Sequence, residues 1–552
     1  MELDTSNPAN REAQNDHPPK HGGWITFPFI IATSACLTLG NAGWVSNLTV
    51  YMIEEFNVKR IDAAQVFNMV NGSISLSPLI GAIIADSFLG CFSVIWISSF
   101  ISLLGTVLLT LTSAISSLRP QTCETGSTAC PTPSKFQLAI LYAGLALSSF
   151  GVGGMRFTLT TMGANQFATT KQQSIYFNWY FFSLYASAIA ASTAIVYVED
   201  NVSWALGFGL CAGATALGLV IFLLGSRFYR HVKPEGSPFT SLVQVFVASI
   251  RKRKVQISLK NEDYYRGHVN GIQEEVAATP TRSFRFLNRA ALIAQEDIAP
   301  DGSISNPWKL CTLQQVEDLK TLIRIFPLWS SSIFLGTPIG IQTSLLVLQA
   351  LTMDRHLGPH FQIPAGSMLV FESFFICIAL VLSDRFLRPT WQYLTGRPPT
   401  PLQLIGLGHV LNISSMAVSA VVESMRRQSA AMPLSVFWLV PQMALVGVGE
   451  AFHFPGQVAL YYQEFPASLK SMATAAVGML IGIAFYLSTA VMGCVRRVTG
   501  WLPDDIDDGK VDYVFWMLVV VGVVNFGFYM VCAVLYKYRN PEKAVESGGS
   551  TS

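Results

Sequence analysis

The stretch SSFGVGGMRFTLTTMGANQF, residues 148–167, decides how this chain is read. It prolongs an apolar run that begins near Phe136 and carries Arg156 well inside. An arginine at the centre of a bilayer costs at least about 2.5 kcal/mol, so its head group must face protein or water. A second apolar stretch, residues 439–456, reads LVPQMALVGVGEAFHFPG and sets Glu450 at nearly the same place after the same Gly-Val-Gly. Working outward from these two charges leads to a single central pathway.

The chain has 552 residues, of which 51% are hydrophobic and only 13% charged. Soluble domains usually carry about 25% charged residues, so the class is an all-α polytopic membrane protein. A net charge of +2 gives no reason to expect nucleic acid as a partner. The leading residues, MELDTSNPANREAQNDHPPK, have no positive start and apolar core, and read as a tail, not a cleavable signal. There is no His/Cys cluster with metal-ligand spacing, no phosphate loop and no pair of carboxylates on one helix. The sequence therefore predicts neither an enzyme nor a cofactor.

A bilayer-spanning helix needs roughly 20 mostly apolar residues. Twelve segments qualify: residues 25–53, 64–85, 92–115, 136–160, 178–198 and 204–226, then 321–350, 364–384, 404–424, 434–456, 471–495 and 512–537. The expected organisation is a tail (1–22), a six-helix bundle (23–226), a basic linker (227–320), a second six-helix bundle (321–540) and a tail (541–552). The linker contains Arg251-Lys252-Arg253-Lys254, and its ends are basic, so it is expected in the cytoplasm with both termini. Within it SLVQVFVASIRKRKVQ reads either as an amphipathic helix on the membrane surface or as a solvated one. Cys123 and Cys130 then share a loop on the opposite, oxidising side, as a disulfide or as two free thiols.

The two halves repeat. The second span ends Ala85-Asp86-Ser87-Phe88-Leu89-Gly90 and the eighth Ser383-Asp384-Arg385-Phe386-Leu387-Arg388. Asp86, Gly90, Asp384 and Arg385 thus mark a conformational motif at matched turns. Gly151-Val152-Gly153 in the fourth span likewise answers Gly447-Val448-Gly449 in the tenth. Parallel six-helix halves related by an axis along the membrane normal define a major facilitator arrangement, with binding between the halves. With the first glycines aligned, Arg156 and Glu450 differ by two residues, an axial offset of about 3 Å. They are expected to pair across the interface; alternatively, each is satisfied within its own half. His453 shares the helical face of Glu450, either tuning the pair with pH or packing as a neutral histidine. Glu372 and His409 read as solvated groups at or near helix ends.

The first span has no acid or base from Trp24 to Ile53 apart from Cys36 and Tyr51, and the seventh has none from Ile325 to Thr352. A pathway with one permanent cation and few carboxylates suits a small anion.

At this point the residues resemble a family. GVGGMRFTLTTMGANQF, FNWYFFSLYASA at Phe177, MDR at Met353, PLQLIGLG at Pro401 and WLVPQMALVGVGEAFHFPGQVALYYQEFP at Trp438 are similar to motifs of the plant nitrate/peptide transporter family, within the proton-dependent oligopeptide transporter superfamily. The resemblance runs from about Gly22 to Asn540. It implies that Arg156 and Glu450 form a gating ion pair, with arginine in place of the usual lysine. Three departures stand out. The first-span proton-coupling motif Glu-x-x-Glu-Arg is replaced by Ser34, Leu37 and Thr38; the seventh-span histidine of nitrate binding by Gly340; and the usual Gly-Arg after the second span by Gly90-Cys91. The combination resembles the nitrate excretion transporter branch, which implies passive efflux of nitrate, or chloride, from a monomer in the plasma membrane. A proton-coupled importer of peptides or metabolites, and a non-transporting sensor or scaffold, are the rival expectations.

Overall fold

The computed structural model describes residues 22–121, 131–167, 169–231, 238–257, 263–266, 268–269, 272–273, 280–281, 283–293, 297, 304–429, 432–465 and 472–536. Cys123 and Cys130 lie outside the described residues, as do most of the two tails. Among the described residues, eleven helical runs are long and apolar enough to cross a membrane. One of them, Arg60–Ala114, has 55 residues. At 1.5 Å per residue it would exceed 80 Å, against about 30 Å of hydrocarbon. It doubles back at Gly90, whose φ of 75° is open to glycine but strained for other residues. The protein is therefore a twelve-span membrane protein.

The first half consists of α1 (Phe27–Ser46) continued by α2 (Leu48–Glu54), α3 (Arg60–Ile84), α4 (Gly90–Ala114), α5 (Lys135–Ala164), α6 (Thr170–Ala190) continued by α7 (Val196–Asn201), and α8 (Trp204–Leu224). After the linker helix α9 (Pro238–Arg251) come α10 (Leu313–Leu351), α11 (Val370–Leu382) continued by α12 (Arg388–Thr395), α13 (Pro401–Gln428), α14 (Val440–Glu464), α15 (Met472–Val498) and α16 (Val511–Leu535). The packing repeats with the sequence. In the first half α1 lies on α8 and α6, α4 on α5 and α8, and α3 on α5. In the second, α10 lies on α16 and α15, α13 on α14 and α16, and α11 on α14. These are two parallel bundles with one connectivity, the major facilitator fold.

The matched motifs fold alike and then part. Ala85–Leu89 and Ser383–Leu387 each form a π-helical turn. Gly90 then reverses the chain, whereas Arg388 keeps helical dihedrals and α12 runs on two further turns. Asp384 pairs with Arg388 one turn on, at 3.6 Å.

α10 begins at Leu313, upstream of the expected residue 321. A capping box, Thr312 with Gln315, starts it, and its polar first turns are buried against the linker, where Lys320 binds Glu317 at 2.7 Å. Hydropathy alone misses such a start because the turn is polar. In the linker, α9 buries Val245 and Ala248 against Leu287 and Ala290, and leaves Val243, Phe246 and Ile250 exposed on its other face.

The halves meet chiefly along α3 and α15, with a thinner contact of α6 and α11. At the end remote from the termini they are latched by Lys59–Asp504 (2.5 Å), Arg60–Asp505 (2.9 Å), Arg496–Asp62 (2.5 Å) and Arg355–Asp200 (3.9 Å). Deeper, Asn68 bonds Ser344, and Ser73 bonds Tyr486 at 2.6 Å. At the terminal end the turn residues Phe88 and Phe386 are open to solvent or lipid.

Candidate functional site

A cavity of about 410 Å³ lies between the halves. Arg156 from α5, Tyr180 from α6, Glu372 from α11 and Glu450 from α14 all reach it. Its apolar lining includes Phe67, Leu159, Ile339, Phe454 and Phe485. Ser34, Leu37 and Thr38 also line it, so the three positions that carry charge in the resembled motif present a hydroxyl, an alkyl and a hydroxyl group to the pathway.

Small residues bring these walls together. A Cβ on Gly151 would lie 2.4 Å from the Ser102 backbone of α4, and one on Gly153 would lie 2.3 Å from Cβ of Ser77 on α3. In the second half, Gly449 presses on Asn412 of α13 and Gly447 on the Glu372 carbonyl of α11. The residue that meets the third helix of its half is thus Gly151 in one copy and Gly449 in the other. Gly151 and Gly449 are also separated by the same interval as Ala85 and Ser383. Aligning the first glycines is therefore two residues out of register. In the register set by packing, Arg156 and Glu450 differ by four residues, about 6 Å along the axis.

That offset accounts for the pairing found. Among the described residues Arg156 makes no ion pair within 4.0 Å; its side chain is exposed to the cavity. Its backbone is held by its carbonyl, which accepts from Thr160 at 2.9 Å and from Tyr180 at 3.4 Å. The neighbour of Glu450 is instead Glu372, which lines the same wall of the cavity where α11 packs on α14. Two carboxylates on one wall repel each other, and a proton taken up by either relieves that repulsion. The pair can hold a proton, and the free guanidinium can grip an oxyanion through its fork.

Glu372 is not a solvated helix-end group. It sits in the first turn of α11 but faces the cavity, because the eighth span packs that face against α14. Its sequence signal was an acid inside an apolar run; what concealed it was the want of a partner on its own helix. Tyr185, on α6, is likewise near both Arg156 and Glu450. His453 lies outside this set. It is fully buried in the second bundle, edge-on to His409 at 5.3 Å between ring centroids, and His409 stacks on Tyr529 at 4.6 Å. His409 is thus a buried packing group, not a solvated one.

Gly340 does not face the pathway. A Cβ there would lie 2.9 Å from Oγ of Ser488 and 3.1 Å from the Phe485 ring, so a larger side chain on α10 would have to displace these side chains of α15. The histidine of the resembled pattern is absent, and its space is taken by them.

A family model described as PTR2: POT family matches residues 92–505. Protein NRT1/ PTR FAMILY 2.6 of Arabidopsis thaliana is 52% identical over 95% of this chain and 95% of its own length. Protein NRT1/ PTR FAMILY 2.7 of the same plant is 53% identical, covering 94% and 93%. Among solved structures, that of an auto inhibited POT family peptide transporter superposes with a TM-score of 0.69 at 15% identity, over 94% of this chain and 98% of the other. The in meso crystal structure of the POT family transporter PepTSo gives 0.68 at 17% identity, over 94% and 100%.

Proposed function

The chain belongs to the POT family of membrane transporters, and from that premise we propose that it releases nitrate from the cytoplasm, passively and by alternating access. The observation that carries this reading is Arg156: a cation unpaired within 4.0 Å among the described residues, facing a cavity whose first-span wall is Ser34, Leu37 and Thr38. The basic ends of the linker support a terminal end that faces the cytoplasm, in keeping with a plasma-membrane transporter. The latched end is then outermost, and this conformation is the inward-facing one, ready to load. Arg156 binds the anion; Glu450 competes for the guanidinium as the halves close and returns to it after release. A monovalent anion leaves a negative interior downhill by about 2.3 kcal/mol per 100 mV, so efflux needs no proton.

Reconstituted vesicles loaded with nitrate should release it in response to voltage with no imposed proton gradient. Strict dependence on that gradient would sink the proposal. Arg156→Ala should lower the rate at least about a hundredfold, in line with the loss of a charge-assisted contact of about 3 kcal/mol. Chloride added to the same vesicles measures which anion the site prefers. One observation favours a second reading: Glu372 and Glu450 line one wall of the cavity together, an acid pair of the kind a coupled importer needs. A proton current on adding dipeptide would establish it. The absence of flux of any solute from purified vesicles would favour a sensor or scaffold.

A further inference from the structure

Glu199 belongs to the last turn of α7, at the latched end, and is 1% exposed. Its side chain lies flat on α8, where a Cβ on Gly207 would stand 2.1 Å from Cγ of Glu199. Among the described residues neither carboxyl oxygen has a partner in hydrogen-bonding geometry, and no cation lies within 4.0 Å. Next to it stands Asn47, at the break between α1 and α2. Asn47 is also fully buried and is the one polar side chain set against the Glu199 carboxyl among the described residues, although neither of its polar atoms meets the geometry of a full hydrogen bond. Trp44 of α1 adds a fifth buried polar atom without a partner among the described residues, Nε1, and Cys211 of α8 lies near the carboxyl. Asp200, next along the chain, is turned to Arg355 at 3.9 Å, with the exposed Glu54 of α2 near that pair.

The lid of this pocket comes from the other half. The short helix Ala365–Leu369 lies against α1, α2 and α7. A Cβ on its Gly366 would fall 2.6 Å from the Ser46 carbonyl oxygen and 2.7 Å from Oδ1 of Asn47. Backbone meets backbone over Asn47, with no room for a side chain. When the halves part at this end, the lid leaves with its own bundle and water reaches Asn47 and the carboxyl behind it.

A carboxylate sealed away from water and from any cation, with only a poorly aligned amide beside it, is far more costly to bury than the neutral acid. We propose that Glu199 is a proton-binding site built into the gate: it holds a proton while the latched end is shut and gives it up to water when that end opens. Protons on that face then bind the shut conformation in preference to the open one, and so shift the equilibrium towards closure. The site is separate from the central cavity, and the inference holds whatever solute the cavity carries.

The test is a distance, which does not depend on cargo. Spin labels at Asn201 and Gly500, exposed positions on the two halves, report opening in the full chain reconstituted in lipid. Between about pH 8 and pH 5 the open population of the wild type should fall about tenfold or more, following the tenfold-per-unit limit of a single proton. Glu199→Gln, a neutral isostere, should stay shut across the range. Glu54→Gln should keep the wild-type response. A Glu199→Gln protein that still responds, or a response lost in Glu54→Gln, overturns the proposal. A wild-type distribution that ignores pH overturns it without any variant.

Discussion

Two buried carboxyl groups lie near the latched end, one in each half, and the fold treats them in opposite ways. Glu423, on α13, is fully buried and receives Nε2 of Gln349 at 2.8 Å and both Nε and a terminal nitrogen of Arg426 at 2.9 and 2.8 Å. Arg426 continues to Thr352 and Asp507, so α10, α13 and the loop before α16 are tied by one charged joint. Glu199 is equally buried and, among the described residues, has no cation and no well-formed hydrogen bond, only the Asn47 amide beside it. Burial alone therefore does not say whether a carboxyl is structural. A satisfied charge fixes a rigid bundle; an unsatisfied one, covered by the opposite bundle, makes burial depend on conformation.

Breaking the joint should have the largest effect on that contrast. Arg426→Met leaves Glu423 buried without its cation and should cost about 3–5 kcal/mol, read as a fall in thermal stability in lipid nanodiscs. Unchanged stability would mean that the two carboxyls are alike after all. Glu423→Gln keeps shape and one donor set, and should cost about 1.5–3 kcal/mol through its lost charge-assisted bonds. Glu199→Gln, by the same measurement, should move stability by less than about 1 kcal/mol, since a neutral group replaces a neutral one. If the two glutamine variants destabilise equally, the distinction fails.

The smallest effects belong to the exposed latch. Asp504→Asn should change stability by less than about 1 kcal/mol, and added salt should erase the difference. Acid should not open this latch in the ordinary range. The Lys59 hydrogen bond, with the Arg496 charge, holds the Asp504 carboxyl below the usual carboxylate value. A lowered folded-state value contributes stability above the unfolded pKa and loses it only as pH falls through the folded one. The pair consequently persists between about pH 5 and 8, below which unfolded aspartate itself begins to take protons. A pH response of the gate within that window has to arise elsewhere, which separates Asp504 from Glu199.

The spans and the repeat were legible because they depend on local properties, apolar length and a recurrent motif. Ala85–Leu89 and Ser383–Leu387 even share the same π-helical turn. The depth of Arg156 against Glu450 was not legible. Gly-Val-Gly says that a helix is approached closely, without saying which glycine meets which neighbour, and two residues of register changed about 3 Å into about 6 Å. Glu372 was visible as an acid at a span end, yet its place on the same wall as Glu450 joins residues far apart in the chain. Glu199 drew no notice, because VYVEDN reads as the ordinary polar end of a span.

The sequence by itself thus determined a twelve-span membrane protein in two repeated halves, with Arg156 as a charge that must face the pathway. Hydrocarbon imposes that much, since it tolerates neither short apolar runs nor unsatisfied cations. Only the tertiary structure decided that Arg156 makes no ion pair within 4.0 Å among the described residues, that Glu372 comes to the same cavity wall as Glu450, and that Gly366 closes over Asn47 beside Glu199. Those outcomes rest on contacts of a few ångströms between helices from different parts of the chain, and no local pattern of residues carries that distance.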